Sequence, residues 1–344
     1  MNEDQDISFG VSGDVGDSLR FFNIDGSDAL PVDVWVEALD DKRFWLDYFK
    51  SNDRYKFYVR GPDEAVAPDG KVANGCDRLF SLERQSVLTL GVGCIFCIDS
   101  DDSYLKSFVP GYVSQKLPRD HVFVTNIYAL DNAFVYSEYV DHAFGLLVCK
   151  GGHELKVLPS KFIASVSSSI WSAFVGIYYL EVIGRDKEFS LSKRLINNAL
   201  DKLGKVIISE FDQCEVYNNY LAEVADIESA VRSALLTVGQ EGYDLFCSEL
   251  ETAGVSADNV YLFLRGHNLF DVVASVYEVV SQEFKCIEIE RVKTVHANSA
   301  SVVAGIEKNW QAVSSFLKAR FSLVGADIPF LKCTLERISA DYSL

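Results

Sequence analysis

The sequence predicts an α/β protein: a mainly parallel sheet flanked by helices, followed by a mostly helical C-terminal region. Three observations predict it. Over residues 31–155, short and nearly uniformly apolar runs alternate with amphipathic helical stretches. Strands buried on both faces read this way, because crossover helices cover both sides of a parallel sheet. Beyond residue 155, long stretches of helical periodicity take over. The expected organisation is a lead-in over 1–30, an α/β domain over 31–155 and a mainly helical domain over 156–344.

The lead-in is acidic and rich in glycine (Gly10-Val11-Ser12-Gly13-Asp14-Val15-Gly16-Asp17) and has little periodicity. From Val32 an apolar run reads as a first strand ending at Glu37. Asp40 to Phe49 reads as a helix, with acids in its first turn that suit the positive end of the helix dipole. Tyr55 to Val59 is a second strand, closed by Gly61-Pro62. A loop holding Lys71 and Asn74-Gly75 leads to a helix over 77–86. A third strand over 90–98 delivers Asp99, and a fourth, Val122 to Thr125, precedes Asp131-Asn132 at a helix start. Helices follow over 161–183, 190–206, 215–238, 268–283, 300–322 and 329–341. One strand-like run, Val260 to Leu264, leads into Arg265-Gly266-His267.

The 344 residues are 49% hydrophobic, with 23 Phe and 16 Tyr, enough to bury a sizeable core. The formal charge of -18 speaks against binding long nucleic acid through a broad basic face. Nucleic-acid chemistry would need a local basic channel, bound metal ions or a partner that supplies positive charge. Cys94 and Cys97 form a lone CxxC inside an apolar run, with no second pair to complete a zinc site, so buried reduced thiols are expected. Met1 is followed by Asn-Glu-Asp-Gln-Asp, which is no secretory signal, so a cytoplasmic location is expected. Phe162 to Leu180 carries no charge but is broken by Ser165, Ser167, Ser168, Ser169 and Ser172, which favours a core helix over a membrane span. No P-loop, GxGxxG or GxSxG stands in the chain, which excludes ATP hydrolysis or dinucleotide binding by those routes.

Functional groups in open α/β sheets gather at the carboxyl ends of strands. Glu37, Asp99 with Asp101, and Asp131 fall at such ends or at the helix starts that follow. Clustered carboxylates repel one another unless a cation neutralises them, and hard oxygen ligands suit Mg²⁺ or Mn²⁺. In an extended Asp99-Ser100-Asp101 segment, alternate residues point the same way, so both carboxylates would face one ion. Asp102 would face the other side, solvated or capping a helix. A metal held there could polarise a phosphodiester and activate water. Acids after strands also serve as caps and turn formers, and a DxD alone is a weak signal. Arg265 and His267 could approach a phosphate, but a packed turn is the favoured expectation; His121, His142, His153 and His296 show no partner pattern.

Val34-Trp35-Val36-Glu37-Ala38-Leu39-Asp40-Asp41 resembles the opening motif of TOPRIM domains, where a strand ends in Glu-Gly and an acid follows four residues after the Glu. Cys97-Ile98-Asp99-Ser100-Asp101 looks like their DxD motif, and Thr125 to Asn132 is similar to a third motif that carries a Glu-Asn pair. With Arg265 to Leu269, the set resembles the TOPRIM-like, OLD-type nuclease-related effectors of bacterial anti-phage defence typified by AriB, which stand beside ATPases. The resemblance covers the motifs within 31–135 well and the helical remainder loosely. It implies Glu37 as general base or metal ligand, Asp99 and Asp101 as catalytic metal ligands, Asp41 as a supporting ligand, and Asp131 as the metal ligand of the third motif. Two positions depart from the pattern: Ala38 stands for glycine and Asp131 for glutamate.

The expectation is therefore a Mg²⁺- or Mn²⁺-dependent endonuclease acting on RNA or DNA, a defence effector controlled by an ATPase partner and able to form a homo-oligomer when active, with no membrane. The competing expectation is a TOPRIM-like scaffold without catalysis, acting as sensor or adaptor. Carboxylates that point apart, or a lysine filling the site, would defeat the nuclease expectation and leave the scaffold. A primase or topoisomerase part is disfavoured, since no accompanying tyrosine-nucleophile or zinc domain is visible.

Overall fold

The computed structural model describes residues 28–64, 75–296, 298–321 and 327–344. All but the last three residues of the expected lead-in, and Lys71 with Asn74, lie outside the described residues. The chain groups into two compact units. The first holds the described residues up to Ile98, with Pro118–Val124 and Lys332–Leu344; the second holds Asp99–Leu117 and Thr125–Leu331.

The first unit is built on four strands: β1 (Leu30–Trp35), β2 (Tyr55–Arg60), β3 (Cys94–Ile98) and β4 (Val122–Val124). They are parallel, in the order β2-β1-β3-β4. The apolar runs form these strands because both faces are covered. Helix α1 (Leu39–Tyr48) follows β1, and one face of the sheet is covered by α2 (Cys76–Arg84), whose Leu79, Phe80 and Leu82 pack with Trp35, Phe96, Ile98 and Val124. Elsewhere the rings of Tyr55, Phe57 and Phe123 meet Tyr342, which is 2% exposed. Burying each such side chain contributes about 1.5–3 kcal/mol.

β4 lies at the edge of the sheet, where unpaired carbonyls would invite another strand. Thr334 donates its hydroxyl to the Val124 carbonyl. Arg337 donates to the carbonyls of Arg119 at 2.6 Å and Val122 at 3.2 Å, with its guanidinium 4.4 Å from the Phe123 ring centre. Side chains from the C-terminal segment thus take the hydrogen bonds that a fifth strand would make.

The second unit is helical. It contains α3 (Ser103–Lys106), α4 (Leu130–Ala133), α5 (Ser137–Val148), α6 (Pro159–Val182), α7 (Lys193–Lys202), α8 (Glu215–Val238), α9 (Gln240–Thr252), α10 (Gly266–Val295), α11 (Ala300–Asn309) and α12 (Val313–Arg320). Helix α13 (Pro329–Tyr342) follows along the chain. By length and composition alone α6 would suffice to cross a membrane, but most of it is buried inside the unit. The serines that break its apolar run have partners: Ser165 pairs with Tyr217 at 2.7 Å, Ser169 with Tyr220 at 2.8 Å, and Ser167 donates to the Ala257 carbonyl at 2.7 Å. Gly176 lets α6 approach α8, since a Cβ there would lie 2.2 Å from Val231.

Some expectations need correction. Val260–Phe263 is a 3-10 turn, not a strand, although all its side chains are buried. Its carbonyls are taken by groups far away in sequence: Tyr128 N–H donates to Leu262, and the Asn132 amide to Tyr261 and Leu264. His267 therefore opens α10 instead of following a strand. The expected helix over 300–322 is broken between Asn309 and Val313, where Trp310 donates to Ser281 and Glu278 accepts the Val313 N–H. The third strand begins at Cys94, because Gly91 and Cys94 close a tight turn. Helices α5 and α9 have no counterpart among the helices the sequence predicts.

Candidate functional site

In the order β2-β1-β3-β4, the topological switch lies between β1 and β3. In open α/β sheets this is where ligands bind, outside the carboxyl ends of the strands. The chain leaves β1 towards Glu37 and leaves β3 at Asp99.

Glu37 is half-buried, and its Oε2 accepts the N–H of Cys76, the first residue of α2, at 3.2 Å. The carboxylate sits against the positive end of that helix dipole, which stabilises its charged form. Gly75 makes the approach possible: its φ of 67° is one that side-chain-bearing residues rarely adopt. Asp41 uses Oδ2 to accept the Ala38 N–H at 2.9 Å, so it holds the start of its own helix α1.

After β3 the backbone does not stay extended. Asp101 has φ of 44° and donates its N–H to the Tyr128 carbonyl at 2.9 Å. The alternation argument for Asp99 and Asp101 thus stops at a left-handed turn, which aspartate tolerates better than most residues. Ser100 is fully buried and donates to the Ile127 carbonyl at 2.6 Å, locking this turn to the segment after Thr125. Asp101 is ion-paired with Lys116.

Asp102, expected to be solvated or capping, does stand at the N-cap of α3, but its side chain makes no capping bond and is the centre of a network instead. It is ion-paired with Lys193, accepts the Tyr178 hydroxyl at 2.6 Å, and lies 3.6 Å from Lys106. Glu181 completes a box by pairing with Lys106 at 3.1 Å and Lys193 at 3.4 Å. Both ammonium groups stand over the Tyr178 ring, at 5.8 and 5.0 Å. Burial pushes the Asp102 carboxyl up, but Lys193, the Tyr178 hydroxyl and Lys106 outweigh it and hold it below the usual range. Burial likewise lowers Lys106, and Asp102 with Glu181 reverses this and raises it. Burial, with Asp102 beside it, pushes the Tyr178 phenol far up, so it stays a donor. Nothing in the sequence spacing signals this box: its members stand at 102, 106, 178, 181 and 193.

Asp131 lies in α4 and pairs with Lys318 at 3.2 Å, whose ammonium stands 5.0 Å from the Phe270 ring centre. Its neighbour Asn132 is fully buried and ties α4 to the Val260–Phe263 turn. Gly266 is required there, since a Cβ would fall 2.7 Å from the Asn132 oxygen. Arg265 and His267 are exposed and share a cavity of about 340 Å³ with Asp201 and Asp271, acids that disfavour a phosphate. Burial pushes the Cys94 thiol up to about 11 and Cys97 further, which leaves both as inert thiols.

The donor set is right for a hard cation, but its arrangement is not yet a metal centre. Among the described residues, no group of three or more His, Cys, Asp or Glu side chains is placed to hold a metal. Asp101 and Asp131 lean on two different lysines, and an ion taking Asp101 would have to displace Lys116. No protein-family model matches the chain, and no curated protein matches it.

Proposed function

We propose that the chain is a TOPRIM-type endonuclease that cleaves phosphodiester bonds of RNA or DNA with Mg²⁺ or Mn²⁺. In this proposal it acts as an anti-phage defence effector held in check by an ATPase partner. The observation that carries it is the strand order. The acids that resemble the TOPRIM motifs follow β1 and β3, the two strands that flank the switch point of a parallel sheet. Glu37 would serve as base or ligand, Asp99 and Asp101 as ligands, with Asp41 and Asp131 supporting. A bound divalent ion would polarise the phosphodiester and lower the pKa of water. Lys116 is the nearest cation to Asp101 and would be released towards a phosphate once an ion replaced it.

A specific observation favours a second function. Asp101 is already neutralised by Lys116, as expected of a TOPRIM-like scaffold that senses or adapts without catalysis. Incubating the chain, with the product of its genomic neighbour, with RNA and DNA in Mg²⁺ or Mn²⁺ separates the two. Metal-dependent cleavage lost in Glu37→Ala and Asp99→Ala supports the nuclease. Cleavage retained in both variants, or absent from every mixture, sinks it.

A further inference from the structure

Helix α11 reads Ala300-Ser301-Val302-Val303-Ala304-Gly305-Ile306, mostly apolar, yet none of its residues is buried. A helix of ten residues is marginal without packing, and this one leaves its apolar side uncovered. Val302 is 44% exposed, Ile287 on α10 is 61% exposed and Leu146 at the end of α5 is 51% exposed. With Phe284, Ile306 and Trp310 they line a groove of about 910 Å³. Contiguous apolar surface of this kind marks a binding site more often than chance exposure does.

The charges along the groove carry a sign. Lys150, Arg291 and Arg320 line it against the lone acid Glu288, in a chain whose net charge is -18. Arg291 is held by Glu288 at 2.6 Å, and Arg320 lies over the Phe316 ring at 5.4 Å. Lys150 is held by Glu154 at 3.1 Å, so Arg320 is the cation of the lining that no acid offsets among the described residues. Phe284 and Arg291 stand two turns apart on α10, roughly 10 Å. An amphipathic helix that inserts anchors at i, i+3 or i+4 and i+7 covers the same length.

We infer that this groove docks an amphipathic helix of a partner protein, with an apolar stripe flanked by Asp and Glu. Charge complementarity selects an acidic partner, although the chain as a whole repels one. That opposition makes the test sharp. Fluorescence anisotropy would compare two labelled synthetic helices of about 14 residues, one of Leu, Ala and Glu, the other with Lys for every Glu. The acidic peptide is expected to bind and the basic one not to, against the pull of net charge. Val302→Glu and Arg320→Glu, both exposed enough to leave the fold intact by circular dichroism, should each weaken binding by about tenfold or more. Failure of the acidic peptide to bind, equal or tighter binding of the basic one, or unchanged binding in both variants overturns the inference. So does a wild-type dimer in sedimentation that Val302→Glu dissolves, because the groove would then belong to a second copy of the chain.

Discussion

After β1 the chain runs into Glu37, and after β3 into Asp99 to Asp102; the acids of these two segments are neutralised in unlike ways. Glu37 accepts a backbone N–H at the start of α2, so a fixed partial charge is set against its carboxylate. Asp101 and Asp102 rest on full charges: Lys116 for one, and Lys193 with Lys106 for the other. Backbone dipoles hold an acid in place at small energetic consequence. Lysine pairs make it part of the unit's stability and compete with any ion for its oxygens. The contrast predicts that substitutions after β3 disturb the fold most and those after β1 disturb it least.

The largest effect is expected at the box around Asp102. Asp102→Ala leaves two lysines facing one glutamate and should cost about 3 kcal/mol in urea unfolding. Adding Lys193→Met leaves the neutral pair Lys106–Glu181, so the double variant should cost less than Asp102→Ala alone. The pH dependence follows from the same groups. The Asp102 carboxyl is held below its usual range, so its contribution is present above about pH 4 and is lost as pH falls through the folded value. Lys106 is raised, so its contribution is present below about pH 10 and is lost as pH rises through its folded value. Asp102→Asn should flatten the acid limb of the stability profile; an unchanged limb would remove Asp102 from the account.

Next in size is the sheet edge of the first unit. Thr334→Val leaves the buried Val124 carbonyl without its donor and should cost about 1–2 kcal/mol, read as a shift of the urea midpoint. Smaller still is Lys116→Ala. The Asp101 side chain is 44% exposed, so solvent screens the pair and the stability change should stay under about 1 kcal/mol. Smallest is Glu37→Gln, which keeps an acceptor for Cys76 and removes the charge set against the helix dipole. About 0.5 kcal/mol is expected, and a loss as large as that of Asp102→Ala would erase the contrast between the two segments.

Much of this architecture is written in local sequence. The four strands are legible because a parallel sheet buried on both faces demands uniformly apolar runs, and α8 because its apolar residues recur at helical spacing from Glu215 to Val238. Val260–Phe263 misleads for the same reason: a buried apolar run has no periodicity to tell strand from turn, and what decides is the distant Asn132 amide. The acids after β1 and β3 stand out as strand-ending carboxylates. Their partners do not. Lys116, Lys193 and Lys318 come from segments joined to those acids only by folding, so no spacing rule finds them. The left-handed turn at Asp101 is equally silent in sequence, since it is imposed by the Tyr128 carbonyl.

Isothermal titration of Mn²⁺ into the wild type, Lys116→Ala and Asp99→Ala proteins tests the proposed metal chemistry most directly. The account predicts binding to the wild type, binding about tenfold tighter once the Lys116 ammonium no longer competes, and none in Asp99→Ala. Absence of Mn²⁺ binding in the wild type and in Lys116→Ala would contradict it and leave the lysine-neutralised scaffold.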